Sequence, residues 1–182
     1  MQLAFFFDQS RCSGCLTCVV ACRQWHSVDH DAVTWRRVET IEGGSFPDLR
    51  VSFLSLSCLH CQSCPCIPSC PSSAMMKREQ DGIVLVSPDL CLGEQTCGRC
   101  KDACPYHVPA YNPETGLKME KCDLCSGRRV DGKRPICVEA CPMRALDAGD
   151  LEEMRRKHGT GTEAEGFHYS LETRPSIILK RK

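Results

Sequence analysis

The sequence predicts an α+β fold of short strands, short helices and long loops, organised by staples at cysteine rather than by a large apolar core. Three observations predict it. Of 182 residues, 17 are cysteine, about 9%, the composition of a cysteine-organised chain. The apolar share is 42% with those cysteines counted in, and aromatics are only 6%, so the ordinary core is thin. Small domains with thin cores need disulfides or metal. Between the cysteine groups the segments are short, strand-like and bounded by turn residues.

A disulfide framework is disfavoured. An odd count cannot pair fully, and no secretory signal is expected: Met1-Gln2 leads through Leu3–Phe7 to Asp8 and the first cysteine at Cys12, with no basic segment. No apolar stretch approaches the roughly 18 residues that cross a bilayer. The chain is expected to be soluble, or peripheral to a membrane through a partner. It would be cytoplasmic, or periplasmic if exported folded with a partner that carries a signal. Lys+Arg and Asp+Glu are 23 each, a formal charge of zero, which gives no electrostatic case for nucleic acid.

From the N-terminus, the first cysteine group is Cys12, Cys15, Cys18, Cys22, spaced C-x2-C-x2-C-x3-C and followed by Arg23. Asp29–Asp48 is expected to be a polar linker containing Gly43-Gly44. Val51–Leu56 is a strand-like run into the second group, Cys58, Cys61, Cys66, Cys70, followed by Pro71. Ser73–Met76 then leads to a hairpin signal: Lys77–Gln80, the turn Asp81-Gly82, and Ile83–Val86. The third group is Cys91, Cys97, Cys100, Cys104, followed by Pro105. Val108–Tyr111, the turn Pro113–Gly116 and Leu117–Met119 repeat the scheme, an internal duplication. The fourth group is Cys122, Cys125, Cys137, Cys141, followed by Pro142. Leu151–Lys157 reads as a short exposed helix, His158–Gly166 as a flexible segment, and Ser176–Leu179 as a last strand or an extended arm before Lys180-Arg181-Lys182. Cys64 is left over.

The first spacing is that of bacterial ferredoxins. Three thiolates two residues apart wrap one iron–sulfur cube, because the loop turns back at each step. The fourth, three residues on, starts a helix pointing away and ligates a neighbouring cluster. Pro suits the first turn of a helix, so a short helix is expected after each Cys-Pro. Because the fourth cysteine crosses over, groups act in pairs. Four groups give two bacterial-ferredoxin-like units and four [4Fe–4S] clusters. Zinc is the alternative, although zinc ribbons prefer two separated C-x2-C pairs.

These motifs, with the run Lys121-Cys122-Asp123-Leu124-Cys125, Cys137-x3-Cys141-Pro142 and the tail Thr173-Arg174-Pro175-Ser176, resemble the four-cluster iron–sulfur subunit of the dimethyl sulfoxide reductase (molybdopterin oxidoreductase) family. The resemblance implies nested pairing. One cluster takes Cys12, Cys15, Cys18 and Cys141. Its neighbour takes Cys22, Cys122, Cys125 and Cys137. A third takes Cys58, Cys61, Cys66 and Cys104, and a fourth takes Cys70, Cys91, Cys97 and Cys100. It also implies two interleaved units, residues 1–50 with 111–150 and residues 51–110, with 151–182 as a C-terminal extension. Two departures stand out. Group three carries three extra residues, making the stretch Leu92–Thr96 between Cys91 and Cys97 five long, so either the loop bulges and Cys91 still ligates or it swings out and leaves a [3Fe–4S] centre. Cys64 stands where the family usually has Pro and competes with Cys66. Only Cys66 keeps x3 to Cys70, so Cys64 is expected to be a small buried bystander.

Trp25, His26 and His30 either shape an interface, tune a cluster or simply pack. His60, between two ligands, either donates to a sulfur or is a surface residue. Lys77, Arg78, Lys101, Lys118, Lys121, Arg128 and Arg129 lie near the groups, where positive charge favours a reduced cluster and where solvated surface charge is the plainer reading. No Ser/His/Asp set, carboxylate pair or phosphate loop stands out, so no catalytic residue is assigned. The expected role is a non-catalytic electron-transfer subunit relaying single electrons. By resemblance its partners are a molybdenum or tungsten pterin catalytic subunit and a membrane anchor or soluble redox protein. A freestanding polyferredoxin, or the electron-input subunit of a hydrogenase-type complex, is the alternative.

Overall fold

The structure is a computed structural model that describes residues 1–28 and 33–182; His30 and part of the expected linker lie outside the described residues. In chain order the elements are β1 (Leu3–Asp8), α1 (Thr17–Trp25), β2 (Arg36–Gly43), β3 (Arg50–Ser57), β4 (Met75–Lys77), β5 (Val84–Val86), α2 (Arg99–Asp102), β6 (Ala110–Asn112), β7 (Lys118–Glu120), α3 (Ser126–Val130), α4 (Ile136–Glu139), β8 (Leu146–Asp150), α5 (Leu151–His158) and β9 (Ile177–Lys180).

β1 is buried along its whole length, which explains why its sequence is a continuous apolar run rather than an alternation. It is the middle strand of a three-stranded sheet, antiparallel to β8 and parallel to β9. Leu3, Phe5 and Phe7 face the main core with Leu54, Leu146, Ile177 and Leu179, while Ala4 and Phe6 face a smaller cluster with Leu151, Met154 and Ile178. This is the two-residue period of a strand covered on both faces. The two ends of the chain thus meet in one sheet.

The remaining strands form three antiparallel pairs, β2–β3, β4–β5 and β6–β7. The first corrects the expected linker. Arg36–Gly43 is a strand paired over eight positions with β3. Its sequence, RRVETIEG, hides the strand because it offers only two apolar side chains, Val38 and Ile41, spaced three apart, and both only partly bury against the core. The β4–β5 connection is longer than a two-residue Asp-Gly turn: Lys77 pairs with Val84. Asp81 closes the loop by accepting from Arg78 Nε at 2.9 Å and from the Ile83 amide at 3.2 Å. Gly82 has φ +70°, and a Cβ there would stand 2.2 Å from the Gln2 side chain.

The expected helix after each Cys-Pro is also corrected. After Pro71, Pro105 and Pro142 the chain makes turns and then enters β4, β6 and β8. The short helices α2 and α4 instead precede Cys104-Pro105 and Cys141-Pro142. A residue before proline is pushed out of the α region, so Cys-Pro ends helical turns here. α1 carries both Cys18 and Cys22 and has Arg23, not proline, after them.

α5 is capped by Asp150, whose carboxylate accepts from the Glu152 amide at 3.1 Å and the Glu153 amide at 3.2 Å. Of the expected flexible segment, His158 closes α5 and residues 159–166 are irregular but tied down: the Glu165 amide donates to Gln9 Oε1 at 2.8 Å, and Gly161 O accepts from the Leu179 amide at 2.8 Å. Among the described residues no helix is long and apolar enough to cross a membrane.

Asp147 staples β8 to the last turn of α5. Burial alone would raise its carboxyl, but it accepts from Lys157 at 2.7 Å and His158 at 3.0 Å, with Arg134 also paired to it, and is held at about 2. The lowered value means that this stabilisation is present above the ordinary carboxyl range and lost as pH falls through about 2. Asp147→Asn is therefore expected to cost about 1–3 kcal/mol near neutral pH, read as a lower thermal midpoint. An unchanged midpoint at pH 7 would show that the staple contributes nothing to stability.

Candidate metal centres

The cysteines collect at four places. The 3₁₀ turn Gln9–Arg11 is capped by Asp8, which accepts from the Ser10 amide at 3.0 Å, and it delivers Cys12 into a loop running to α1. At Gly14 the backbone has φ +70° and a Cβ would stand 2.5 Å from the Phe53 ring, so only glycine lets the loop turn back under that ring. Cys12, Cys15 and Cys18 then line one small cavity with Cys141 from the far end of the chain, walled by Phe7, Val38, Ser55 and Leu146. One turn further along α1, Cys22 neighbours Cys125 and Cys137. Cys122 neighbours Cys22 and Cys137, and all four are buried.

Cys58, Cys61, Cys66 and Cys104 line a third site with Leu59, Val84 and Tyr106, and Cys64 lines it too. Cys64 Sγ lies 2.8 Å from the Cys61 carbonyl and donates to it. Cys70, Cys91, Cys97 and Cys100 line a fourth site with Met75, Tyr111 and Met119. The insertion after Cys91 bulges rather than carrying Cys91 away. Glu94 N–H donates to Leu117 O at 3.0 Å, Cys97 N–H to Gly93 O at 3.0 Å, and Cys91 Sγ accepts from the Gly93 and Met119 amides, each at 3.4 Å.

Backbone and side-chain donors point at sulfur elsewhere as well. Leu124 N–H reaches Cys122 Sγ at 3.3 Å, Ala145 N–H reaches Cys141 Sγ at 3.3 Å, and the Tyr111 hydroxyl lies 3.0 Å from Cys100 Sγ. Burial pushes the Cys22 and Cys61 thiols up to about 12 and Cys125 up to about 11, with neighbouring cysteines adding to the rise. Cys122 and Cys66 are raised further in the same direction. Cys15 runs the other way: exposed, it is lowered by hydrogen bonds from Thr17. Such pockets hold neutral thiols or metal-bound thiolates, because bare thiolates this close repel and lack water. A soft, polynuclear iron centre with four thiolate corners fits this donor set.

Of the other expected residues, His26 Nε2 lies 3.3 Å from Cys125 Sγ, and its ring packs on Trp35 at 4.4 Å. Trp25 stays half-exposed, with the Arg128 guanidinium 4.4 Å above its ring. His60 is buried rather than on the surface. Its Nδ1 accepts from the Val84 amide at 3.0 Å and lies 3.9 Å from Cys58 Sγ, while Nε2 has no partner among the described residues. Lys77 donates to the carbonyls of Cys61 at 2.8 Å and Gln62 at 3.0 Å, and Lys121 to Cys122 O at 3.1 Å and to Val84 O. Arg78, Lys101 and Arg128 are engaged with Asp81, Glu94 and Glu139. Sequence reasoning missed Arg36 and Ser55. Both sit on strands that carry no cysteine, and no sequence signal separates them from surface residues.

The chain matches the 4Fe-4S dicluster domain family over residues 49–151. It is 43% identical to the probable anaerobic dimethyl sulfoxide reductase chain YnfG of Escherichia coli K12, covering 98% of this chain and 88% of that one. An anaerobic dimethyl sulfoxide reductase subunit of Haemophilus influenzae is 37% identical, with 98% and 89% covered. Protein NrfC of Escherichia coli K12 is 40% identical over 80% of this chain and 64% of its own length.

With metal supplying folding energy where the apolar core is thin, the metal-free protein is expected to lose most of its structure. Far-ultraviolet circular dichroism after anaerobic chelation checks this; a native-like spectrum of the metal-free protein would contradict it.

Proposed function

Because this protein belongs to the 4Fe-4S dicluster domain family, we propose that it is the iron–sulfur electron-transfer subunit of an oxidoreductase complex of the dimethyl sulfoxide reductase kind, and not itself a catalyst. The observation that carries the reading is the gathering of the 17 cysteines at four separate sites, each drawn from two sequence groups, with Cys64 a fifth thiol at the third.

The finer reading is four [4Fe–4S] clusters. Cys12, Cys15, Cys18 and Cys141 would hold the first, and Cys22, Cys122, Cys125 and Cys137 the second. Cys58, Cys61, Cys66 and Cys104 would hold the third, and Cys70, Cys91, Cys97 and Cys100 the fourth. This makes two interleaved ferredoxin-like units, residues 1–50 with 111–150 around residues 51–110, and 151–182 as an arm. When bound, the clusters supply one-electron redox chemistry. The chain's own part is to hold thiolates at fixed positions, to exclude water with Phe7, Leu146, Met119 and Val84, and to aim N–H and O–H groups at sulfur. Those donors and nearby cations set potentials. No proton has to move on the protein, which is why no acid–base pair is required.

The relatives named for dimethyl sulfoxide reductase are subunits of that enzyme. By analogy the partner receiving or supplying electrons is a molybdopterin- or tungstopterin-type catalytic subunit, with a membrane anchor or a soluble redox protein at the other end. The substrate class is that of the catalytic partner.

Anaerobic purification with iron and acid-labile sulfide assay, followed by low-temperature electron spin resonance during redox titration, tests the reading. Four four-iron centres and a stoichiometric large partner are expected. A colourless, zinc-rich protein would sink it, and a lone brown protein would favour a freestanding polyferredoxin. Cys91→Ser is expected to convert one centre to a three-iron form, whereas Cys64→Ala leaves all four; the opposite pattern would reassign the ligands.

A further inference from the structure

Among the described residues, Arg36 is a buried cation that pairs with no carboxylate. It is 3% exposed and lies at the start of β2, opposite Ser57. Its guanidinium donates to Ser55 Oγ at 3.0 Å and to Ser57 Oγ at 2.9 Å, and stands 4.7 Å from the centre of the Phe5 ring. Burying a guanidinium against neutral groups alone costs several kcal/mol, so its placement demands negative charge nearby. The groups that face it are thiols: Cys18 from one site, and Cys22, Cys122 and Cys137 from the next.

Ser55 completes the geometry. It is 3% exposed and forms part of the cavity wall shared with Cys12, Cys15, Cys18 and Cys141. Its oxygen lies 3.8 Å from Cys18 Sγ, within reach of a hydrogen bond to sulfur. A serine hydroxyl has one proton to give. Arg36 already donates to the Ser55 oxygen, so the hydroxyl proton is left to point at Cys18.

We propose that Arg36 and Ser55 act together to set the potentials of two neighbouring clusters. Ser55 donates to the Cys18 ligand, while Arg36 orients that hydroxyl and supplies the positive charge that both sites face. The proposal rests on the ligand sets given under the proposed function. Ser55 touches a ligand directly; Arg36 is a positioning residue and a counter-charge. Both effects favour the more negative, reduced state and so raise potential. β2 and β3 carry no cysteine, yet they are the element that tunes this pair of sites.

The test uses the anaerobically purified full chain with its clusters, read by redox titration with low-temperature electron spin resonance. Cys12→Ser and Cys122→Ser mark which two midpoints belong to the two sites. Ser55→Ala, a small change, is expected to move the midpoint marked by Cys12→Ser to more negative potential. It should leave the others in place and remove one deuterium-exchangeable proton coupling from that centre. Arg36→Gln is expected to move both marked midpoints negative and neither of the other two. Ser55→Ala with every midpoint and coupling unchanged would overturn the proposal, and this arm decides it even where the Arg36 variant fails to assemble. So would an Arg36→Gln shift spread over all centres. Wild-type protein without iron and sulfide is a different result: it would sink the iron–sulfur reading itself.

Discussion

Bringing four thiols into one dry pocket is the constraint on which the rest of the structure depends. At Cys22 and Cys61 burial raises the thiol, and neighbouring cysteines raise it again. The pocket is therefore comfortable in two states, neutral and metal-bound, and only the second joins its walls together. This explains the proportions of the fold. Strands of three residues and helices of four are too short to persist by their own hydrogen bonds. On the proposed ligand sets they are held because the loops and turns around them hand cysteines to shared centres. The main apolar cluster itself counts Cys18, Cys58, Cys104, Cys122 and Cys137 among its members, so the core and the metal sites are one region.

The chain topology answers the same constraint at longer range. Closing a loop between residues 12 and 141 costs entropy once, and that cost is shared by the pairing of β1 with β8 and β9. The segment before β9 then straps the second cysteine loop. Gln62 N–H donates to Arg174 O at 2.9 Å, Ser63 N–H to Thr173 O at 3.0 Å, and Ser176 N–H to Leu59 O at 3.0 Å. One arm thus anchors in the terminal sheet and grips the loop that carries Cys58, Cys61 and Cys66. The outer and inner groups of cysteines are mechanically linked, which suits a device whose centres must keep fixed separations.

The cysteine groups are legible in the sequence because iron–sulfur loops obey spacing, and spacing survives without any knowledge of the fold. The hairpins at Met75–Val86 and Ala110–Glu120 are legible for a similar reason: their turns carry Gly, Pro, Asp and Asn. β2 is not, since its one fully buried residue is Arg36, its two apolar residues Val38 and Ile41 are only partly buried, and Arg, Glu and Thr fill most of the rest, which leaves no clear alternation. The helices mislead at one detail. Cysteine before proline reads as a helix start, whereas the restriction proline imposes on its predecessor makes it a helix end. Arg36 is illegible for a deeper reason. Its importance comes from a cross-strand neighbour, Ser55, and from cysteines that lie before and after it in the chain, none of which local pattern can connect.

Positive charge is handled in two ways. Several cations pair with carboxylates: Arg37 with Glu39, Lys101 with Glu94, Arg155 with Glu152, and the buried Arg128 with Glu139. Three cations near the thiol sites are bound by neutral groups instead. Arg36 has serine hydroxyls, Lys77 the carbonyls of Cys61 and Gln62, and Lys121 the carbonyls of Val84 and Cys122. Hydrogen bonds to neutral oxygen satisfy the donors without cancelling the charge. In an ordinary interior this arrangement would be the expensive one, with charge buried and left uncompensated. It becomes favourable when anionic centres stand beside those side chains. The inward-facing cations are therefore a sign, independent of cysteine spacing, that the pockets beside them are built to hold negative charge.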